Sequence, residues 1–384
     1  LRISSARSAG KGRLKTIDDQ ASQRADSDYL SLALALARRG LGNVWPNPSV
    51  GCVIVRDGLI VGRGWTQPGG RPHGETQALG QAKDRSRGAT AFVTLEPCVH
   101  HGQTPPCAQA LIDAGIARVV IAAPDPDHRV GGRGAALLNA AGVLVKWDEQ
   151  PDAIDLNVGF LSRIQRDRPM VTMKLASTLD GAIATADGES QWITGSPARR
   201  RGHLLRAQHD AILVGIGTVL VDDPELTCRL PGMAGQSPVR VVLDSCLRLP
   251  PNSRLVKGAE AYPLWILTGS KQTKFDIGQA GVDVIATPLN DAGRIDLDSA
   301  LAVLARRGIT RLLIEGGGTI ATAFLSAGLV DRVAWFRASG IMGGDGLPVF
   351  GDLGLTVLDK MPRFRRTEIE TLGDDVLESY VHQA

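Results

Sequence analysis

Three potential metal ligands and one carboxylate lie in two short segments of the N-terminal third of the chain. His73 and Glu75 are two positions apart, and Cys98 and Cys107 follow with eight residues between them. One imidazole and two thiolates can hold a zinc ion and leave its fourth position open to water. Zinc makes water acidic near neutral pH, and a nearby carboxylate can then move protons. We therefore expect His73, Cys98 and Cys107 to bind zinc and Glu75 to be catalytic.

A His-x-Glu step followed by two cysteines is typical of zinc deaminases. In such an enzyme, water attacks a ring carbon that carries an amino group. Glu75 would take a proton from the water and return it to the departing amine. The common form of this signature has two residues between the cysteines, whereas this chain has eight.

Two other interpretations of this pattern stay open on the residues alone. A closed structural zinc site would need a fourth ligand, and His100 or His101 could supply it. Alternatively, Cys98 and Cys107 could be small buried side chains with no metal. The position of Glu75 beside His73 favours the catalytic interpretation.

The length and composition indicate a two-domain globular protein. The chain has 384 residues, and one domain takes roughly 150 residues. Its 43% hydrophobic and 22% charged residues are typical of globular proteins. A net charge of +3 gives no electrostatic reason to expect a nucleic acid or a membrane as partner. We expect a small-molecule substrate and a cytoplasmic location, and the sequence leaves a homo-oligomer open.

Five cysteines are too few for a disulfide framework in a chain of this length. Cys52, Cys228 and Cys246 have no partner at ligand spacing, and we interpret them as packing or loop residues. No apolar run approaches the roughly 20 residues that cross a bilayer.

The first residues differ from the rest of the chain. Residues 1–16 contain five basic side chains and no acid, which resembles a transit peptide in composition. A disordered basic tail over residues 1–26 is the interpretation that we favour.

Alternating strands and helices predict a layered α/β domain over residues 27–150. Ser27 is expected to cap the first helix, and Asp57-Gly58 is expected to form a hairpin turn. The further predicted elements are strands at 49–55, 59–65, 90–95, 118–123 and 143–146, and helices at 75–83, 107–114 and 134–141. In this order His73 and Cys107 begin helices, whose positive ends favour thiolates.

A polar segment over 151–168 is interpreted as a short helix and a linker, and a second α/β pattern follows it. Strands are predicted at 170–176, 211–214, 239–243, 264–268, 282–286, 311–315 and 332–336, and helices at 197–207, 297–307 and 319–327. The glycine turn Gly316–Gly318 joins a predicted strand to a predicted helix, where backbone N–H groups can bind phosphate. A tight turn without a ligand is the simpler alternative.

Several segments resemble the bifunctional deaminase–reductase family of riboflavin biosynthesis. In the first half they are Pro46–Gly51, Pro72–Glu75 and Thr94–Cys107. That family has the long spacing between its cysteine ligands, whereas nucleoside and tRNA deaminases usually have the short one. Gly74 departs from the family, which usually has alanine there, and glycine could loosen the helix start by up to about 1 kcal/mol. In the second half the similar segments are Lys174–Gly181, Glu189–Thr194, Leu205–Ala207 and Gly217–Arg229.

The resemblance implies a cytidine-deaminase-like three-layer α/β domain, followed by a dihydrofolate-reductase-like α/β domain over 169–384. It implies hydrolytic deamination of 2,5-diamino-6-ribosylamino-4(3H)-pyrimidinone 5′-phosphate on zinc. Reduction of the ribosyl chain by NADPH, to 5-amino-6-ribitylamino-uracil phosphate, would follow. The implied NADPH contacts are Ala176, Trp192, Thr218, Asp222, Ser245, Gly317, Gly318 and Thr319. The implied substrate contacts are Asn47, His100 and Asp125 in the first domain, and Ser190, Arg206, Leu226, Arg229 and Glu315 in the second.

Some of these implied roles have a physical basis. Arg206 and Arg229 could grip a phosphate through forked hydrogen bonds. Asp222 and Glu315 could bind sugar hydroxyls or orient the nicotinamide. The simpler alternatives are solvated arginines, turn or capping acids at Asp125, Asp222 and Glu315, an exposed loop histidine at His100, and a core position for Trp192.

Two rival functions remain at this level. A deaminase of nucleic-acid bases would need a basic face, which the net charge does not indicate. A non-catalytic partner-binding protein would keep zinc only as a structural ion.

Overall fold

The computed structural model describes residues 17–100, 105–125, 127, 130–269 and 280–383, with side chains from residue 24 onward. His101 lies outside these residues, as does the basic segment 1–16. No helix within the described ranges combines the length and the apolar character that crossing a bilayer requires.

The first half contains one five-stranded sheet with helices on it. Its elements are α1 (Ile17–Ala37), β1 (Gly51–Arg56), β2 (Leu59–Trp65), α2 (Gly74–Ala82), β3 (Thr90–Val93), α3 (Cys107–Asp113), β4 (Arg118–Ile121), α4 (Arg133–Ala140) and β5 (Leu144–Trp147). The strand order is β2-β1-β3-β4-β5. Strand β1 is antiparallel to both of its neighbours, and β3, β4 and β5 are parallel. The expected strands and the Asp57-Gly58 hairpin are therefore present.

Glycines on β1 and β2 bring one helix onto each face of this sheet. A Cβ added to Gly51 would lie 1.9 Å from the backbone oxygen of Ala33 in α1, and one added to Gly62 would lie 2.2 Å from that of Ala78 in α2. Gly62 pairs with Ile54, which is three residues from Gly51 and so points to the opposite face. Helices α1 and α2 thus sandwich the sheet in the expected three layers.

The start of the chain's first helix was predicted wrongly. Helix α1 begins at Ile17, so Ser27 lies in its interior and does not cap it. Residues 17–26 are helical, which contradicts a disordered tail that extends to residue 26. Asp26 is buried, and its carboxylate accepts hydrogen bonds from Arg118 Nη1 at 3.0 Å and Lys146 Nζ at 2.7 Å. These partners are distant in sequence, so local patterns could not reveal the extension.

The segment between the halves is two helices packed against both of them. They are α5 (Pro151–Leu156) and α6 (Val158–Arg166), with Asn157 between them. Asn157 is buried, accepts a hydrogen bond from Ser49 N at 2.9 Å and donates one to Ser49 O at 3.1 Å. Trp45 also packs edge-on against Trp265, with ring centroids 6.4 Å apart. The expected linker is therefore a structured joint.

The second half is built on a nine-stranded sheet. Its elements are β6 (Met170–Ser177), β7 (Ala182–Ala184), α7 (Ser196–Ala207), β8 (Ala211–Gly215), α8 (Ile216–Asp222), β9 (Val239–Leu243), α9 (Arg254–Lys257), β10 (Leu264–Thr268), β11 (Val282–Ala286), α10 (Leu297–Arg306), β12 (Arg311–Ile314), α11 (Gly318–Ser326), β13 (Arg332–Arg337), β14 (Leu347–Pro348), β15 (Phe364–Leu372) and β16 (Asp375–His382). The order in the large sheet is β11-β10-β9-β8-β12-β6-β13-β16-β15.

All neighbours from β11 to β13 in this sheet are parallel, and β16 and β15 extend it in the antiparallel sense. The carboxyl ends of the parallel strands therefore share one edge, which is where α/β proteins usually bind ligands. The predicted strands and helices of this half are present within a few residues. Six further elements were not predicted from the sequence: β7, α8, α9, β14, β15 and β16.

Candidate active sites

The three predicted zinc ligands converge in the first half. His73 Nδ1 lies 3.2 Å from Cys107 Sγ and 3.7 Å from Cys98 Sγ. The three ligand atoms all lie within 4.8 Å of one another, and no fourth potential ligand joins the group among the described residues. One imidazole and two sulfurs at this separation match the donor set of a catalytic zinc ion.

The ends of two helices position these side chains. His73 immediately precedes α2, Glu75 lies in the first turn of α2, and Cys107 is the first residue of α3. Cys98 lies on the loop after β3, where its Sγ accepts a hydrogen bond from Cys107 N at 3.4 Å and its backbone oxygen accepts one from Ala108 N at 3.2 Å. The start of α3 therefore holds both cysteines.

Glu96 anchors the loop that carries Cys98, a role that the sequence analysis missed. Its buried carboxylate accepts hydrogen bonds from Gly132 N and Ala135 N, both at 3.0 Å, at the start of α4. A Cβ added to Gly134 would lie 2.2 Å from the backbone oxygen of Pro97, so α4 approaches this loop closely. In the sequence, the position of Glu96 just before Pro97-Cys98 was the only signal for this role.

Gly74 allows close packing between the site and the sheet. A Cβ added to Gly74 would lie 2.6 Å from Val50 O and 3.3 Å from Trp65 Cα. Alanine at this position would require β1 or α2 to shift. Gly74 therefore permits close contact between the start of α2 and the neighbouring residues Val50 and Trp65. This packing role adds to the looser helix start that was expected for glycine.

Without metal, the four groups strongly perturb one another. A hydrogen bond with Cys107 lowers the pKa of Cys98 to about 4, and the Cys98 sulfur in turn raises the pKa of Cys107. The hydrogen bond with Cys98 raises the pKa of His73. Burial raises the pKa of Glu75 to about 7. A cation in this cluster would favour both thiolates, because it compensates their mutual repulsion.

Glu75 is available for proton transfer. Its side chain is buried, and its Oε2 has no hydrogen-bond partner among the described residues. A buried carboxylate oxygen without a partner is costly unless a ligand completes its contacts. The donor set and this free oxygen together fit a zinc ion with an open position.

The three substrate contacts expected in the first half differ in their surroundings. Asn47 Nδ2 donates to Gly70 O at 2.8 Å, which holds Asn47 beside the segment that leads into α2. His100 Nδ1 is buried without a hydrogen-bond partner among the described residues. Burial raises the pKa of Asp125 to about 6, and the charge of Cys98 acts on it in the same direction. His100 is not part of the ligand cluster.

A cleft of about 1410 Å³ lies at the carboxyl edge of the large sheet. Its lining includes all the expected NADPH contacts and two expected substrate contacts: Ala176, Trp192, Thr218, Asp222, Ser245, Gly317, Gly318, Thr319, Ser190 and Glu315. Trp192 is 66% exposed, so the alternative of a core position is wrong. Arg199 lies over its ring, 4.7 Å from the ring centroid.

The glycine turn opens α11 towards this cleft. Gly317 N donates to Thr218 Oγ1 at 3.2 Å, so that amide already has a partner. Gly318 and Thr319 form the first turn of α11, where backbone N–H groups have no partner inside the helix. These two amides remain suited to phosphate.

Three of the expected substrate contacts do not line the cleft. Arg206 forms a forked pair with Glu315, from Nε to Oε1 and from Nη2 to Oε2, both at 2.9 Å. That edge of its guanidinium is therefore used inside the protein and is not free for a phosphate. Leu226 is buried in a left-handed conformation, with φ of 57°. Arg229 is exposed and pairs with Glu225 at 3.3 Å.

Lys174 belongs to this site, although the sequence analysis did not select it. It lines the cleft, and its Nζ lies 3.9 Å from Glu315 Oε2. Burial opposes ionisation of Glu315, but Arg206 and Lys174 outweigh that effect and hold its pKa at about 2. Burial lowers the pKa of Lys174. Glu315 is thus a buried anion between two cations.

Two family models match the two halves. The cytidine and deoxycytidylate deaminase zinc-binding region matches residues 23–123. The RibD C-terminal domain matches residues 169–377. The first range contains the whole ligand cluster, and the second contains the residues that form the cleft.

Known proteins resemble the chain over almost its entire length. It is 40% identical over 354 residues to riboflavin biosynthesis protein RibD of Aquifex aeolicus, which covers 92% of this chain and 97% of the relative. It is 41% identical over 365 residues to RibD of Escherichia coli, with 91% and 98% covered. The solved structure of Acinetobacter baumannii RibD superposes with a TM-score of 0.84 at 36% identity and covers 94% of this chain and all of that one.

A second solved structure is named for both activities. It is the diaminohydroxyphosphoribosylaminopyrimidine deaminase/5-amino-6-(5-phosphoribosylamino)uracil reductase of Thermotoga maritima, with a TM-score of 0.83 and 35% identity over 94% of this chain. A deaminase zinc site joined to a reductase cleft defines a two-domain deaminase–reductase. The chain belongs to the RibD family of riboflavin biosynthesis proteins.

Proposed function

We propose that this chain catalyses two successive steps of riboflavin biosynthesis. The first half deaminates 2,5-diamino-6-ribosylamino-4(3H)-pyrimidinone 5′-phosphate by hydrolysis. The second half reduces the ribosyl side chain of the product to a ribityl chain. The observation that carries this proposal is the convergence of His73, Cys98 and Cys107 beside the free carboxylate oxygen of Glu75.

In the first step the residues of the chain hold the metal and move the proton. His73 Nδ1, Cys98 Sγ and Cys107 Sγ would bind Zn²⁺, which supplies the Lewis acidity that makes water nucleophilic near neutral pH. Glu75 would accept the proton of that water at Oε2 and deliver it to the departing amine. Burial raises the pKa of Glu75 in the metal-free site, and a bound cation would lower it again.

In the second step the residues of the cleft would bind and orient NADPH and the substrate. NADPH supplies the hydride for the sugar C1′ carbon when it is bound. The amides of Gly318 and Thr319 would bind its diphosphate at the start of α11. Lys174 and Glu315 lie in the same cleft and would orient the sugar and the nicotinamide, with Arg206 holding Glu315 in place.

We assign the remaining substrate contacts by the same reasoning. Asn47, His100 and Asp125 would bind the pyrimidine and its substituents in the first half. The buried Nδ1 of His100, which has no hydrogen-bond partner among the described residues, and the buried carboxylate of Asp125 support this assignment. In the second half, Ser190 lines the cleft, whereas a contact through Leu226 would have to use its backbone because its side chain is buried.

The domain bounds, the cellular location and the partners are part of the same proposal. We place a deaminase domain over residues 27–150 and a reductase domain over 169–384, with α5 and α6 as the joint. All five cysteines are free, and the two metal-binding thiols must stay reduced, which fits the cytoplasm. We propose small-molecule partners only, and a homo-oligomer is compatible with the fold.

One experiment tests both steps separately. Purified protein is incubated with the pyrimidine ribosylamine phosphate, and ammonia release and NADPH absorbance are followed independently. Ammonia is expected without NADPH, and NADPH oxidation is expected only after deamination. Absence of ammonia from a preparation that contains zinc would refute the deaminase function, and absence of NADPH oxidation with the deaminated product would refute the reductase function.

A further inference from the structure

Two arginines at one end of the reductase cleft have no assigned role. Arg248 follows β9 and Arg294 precedes α10, and both line the cleft. Both side chains are exposed, and neither forms a hydrogen bond or an ion pair with the described residues. Two exposed guanidinium groups beside a cofactor cleft can bind an anion, because their forked donors match phosphate oxygens.

Ser245 brings the two arginine loops together. Its Oγ accepts a hydrogen bond from Ile295 N at 3.2 Å, so the residue after Arg294 touches the loop that carries Arg248. Asn290 orders the second loop, since its Oδ1 accepts from Arg294 N at 3.0 Å and its N donates to Arg294 O at 2.8 Å. The backbones that carry both arginines are therefore held side by side.

The strand order places this pair away from the reacting end of the cleft. The order β9-β8-β12-β6 puts three strand spacings between the ends of β9 and β6, and Lys174 lies three residues before the last residue of β6. Neighbouring strands are about 4.8 Å apart, so these ends are roughly 14 Å apart. The glycine turn after β12 lies between them. An extended dinucleotide with its diphosphate at the glycine turn and its nicotinamide near Lys174 would place its adenosine near Arg248.

The two acids at this end, Asp296 and Asp298, form no ion pair with Arg248 or Arg294 among the described residues. Asp296 lines the same part of the cleft, but its carboxylate caps α10 by accepting from Ser299 N at 2.8 Å. Asp298 lies in the first turn of α10, where the helix terminus favours a negative charge.

We propose that Arg248 and Arg294 bind the 2′-phosphate of NADPH and make the reductase prefer NADPH to NADH. This inference rests on the proposed reductase function. NADPH differs from NADH only by this phosphate ester, so an anion site at the adenosine end is the feature that can separate them. The two loops around Ser245 provide such a site.

Binding of cofactor fragments tests the proposal without turnover. The single variants Arg248→Gln and Arg294→Gln and the double variant are titrated calorimetrically with adenosine 2′,5′-bisphosphate and with adenosine 5′-monophosphate. Each substitution is expected to lower the affinity for the bisphosphate by about tenfold to a hundredfold, which is the usual effect of losing a hydrogen bond to a charged group. Binding of the monophosphate is expected to stay the same. The matched control is Arg365→Gln, an exposed arginine on β15 outside the cleft.

Steady-state kinetics distinguish this inference from the function on which it rests. The variants are expected to raise the KM for NADPH while leaving kcat, the reaction with NADH and ammonia release at wild-type values. If the double variant keeps the wild-type preference for the bisphosphate and for NADPH, the inference is wrong and the reductase function stands. If the wild-type protein oxidises no NADPH with the deaminated substrate, the reductase function itself fails.

Discussion

Single residues carry the chemistry of the first site. Glu75 combines a buried position with an Oε2 that has no hydrogen-bond partner in the described part of the chain, and burial raises its pKa in the metal-free site. Its neighbours are the proposed metal ligands, so the thiols that a cation would stabilise and the carboxyl group that would shuttle a proton lie in the same cluster. Changing one residue should therefore separate metal binding from catalysis.

Glu75→Gln should keep zinc bound and lose the deaminase activity. Glutamine preserves the shape and cannot shuttle a proton, so ammonia release is expected to fall by about 10²- to 10⁴-fold. Zinc content, measured by elemental analysis, is expected to stay at one ion per chain. Cys107→Ser is the counterpart that should lose the zinc. Near wild-type turnover by Glu75→Gln, or unchanged zinc in Cys107→Ser, would contradict the mechanism.

His209 makes the stability of the second half depend on pH. It is buried between Leu205 O, 2.7 Å from Nδ1, and Thr172 Oγ1, 2.9 Å from Nε2. Burial lowers its pKa to about 3, whereas an unfolded histidine titrates near pH 6.5. Below that value the unfolded chain binds a proton that the folded chain excludes. The stabilising contribution is therefore complete above about pH 6.5 and declines as the pH falls towards 3.

Urea unfolding between about pH 5 and pH 7 measures this effect. The wild-type free energy of unfolding should contain a contribution from His209 that falls by up to about 1.4 kcal/mol per pH unit below pH 6.5. His209→Gln should be less stable at pH 7 and should lack this part of the pH dependence. Equal slopes for the two proteins would show that His209 does not stay neutral when the chain is folded.

The second site is formed by secondary-structure elements, because the parallel strands of the large sheet end at a common edge. β9, β8, β12 and β6 are neighbours, and the residues just after or near their ends line one cleft. The loop after β9 also carries Cys246, the one exposed cysteine among the five. This thiol therefore reports whether the cleft is occupied.

NADPH should protect Cys246 from alkylation. A bound cofactor covers the cleft lining, so labelling at Cys246 is expected to slow severalfold at saturating NADPH. Peptide mass spectrometry after timed alkylation measures the rate at each cysteine. Cys246→Ser serves as the control and should remove the protected signal. A labelling rate that NADPH does not change would place the cofactor elsewhere.

At the scale of the whole molecule, the joint between the halves is specific. Asn157 makes two hydrogen bonds to the backbone of Ser49, and Arg332 forms an ion pair with Asp155. A Cβ added to Gly308, which has φ of +98°, would lie 3.1 Å from Pro46. These contacts connect the turn before β1 to the large sheet.

Asn157→Ala should weaken this joint. The substitution leaves Ser49 N and Ser49 O without their buried partner, which costs about 1–3 kcal/mol. The urea midpoint of the first half is expected to fall, while zinc content stays the same. Asn139→Ala, an exposed position on α4, is the matched control and should change little. An unchanged unfolding transition in Asn157→Ala would show that the two halves are stable independently.

Local signals in the chain predicted those features that depend on neighbouring residues. The Asp57-Gly58 turn is an example, since both residues have positive φ, as a two-residue hairpin requires. The start of α1 was missed because Asp26 is stabilised by Arg118 and Lys146. Strands β15 and β16 were missed because their pairing, and not a strong hydrophobic alternation, defines them.

The sequence by itself predicted which three donor side chains converge, because a His-x-Glu step followed by two cysteines is typical of zinc deaminases, and its motifs indicated the family. Only the tertiary structure decided the arrangement of the charges in the reductase half. Arg206 binds Glu315 across 109 positions, and Arg248 lies beside the Arg294 loop through Ser245. Such pairings arise when distant strands end at the same sheet edge, and no local pattern encodes which side chains will meet there.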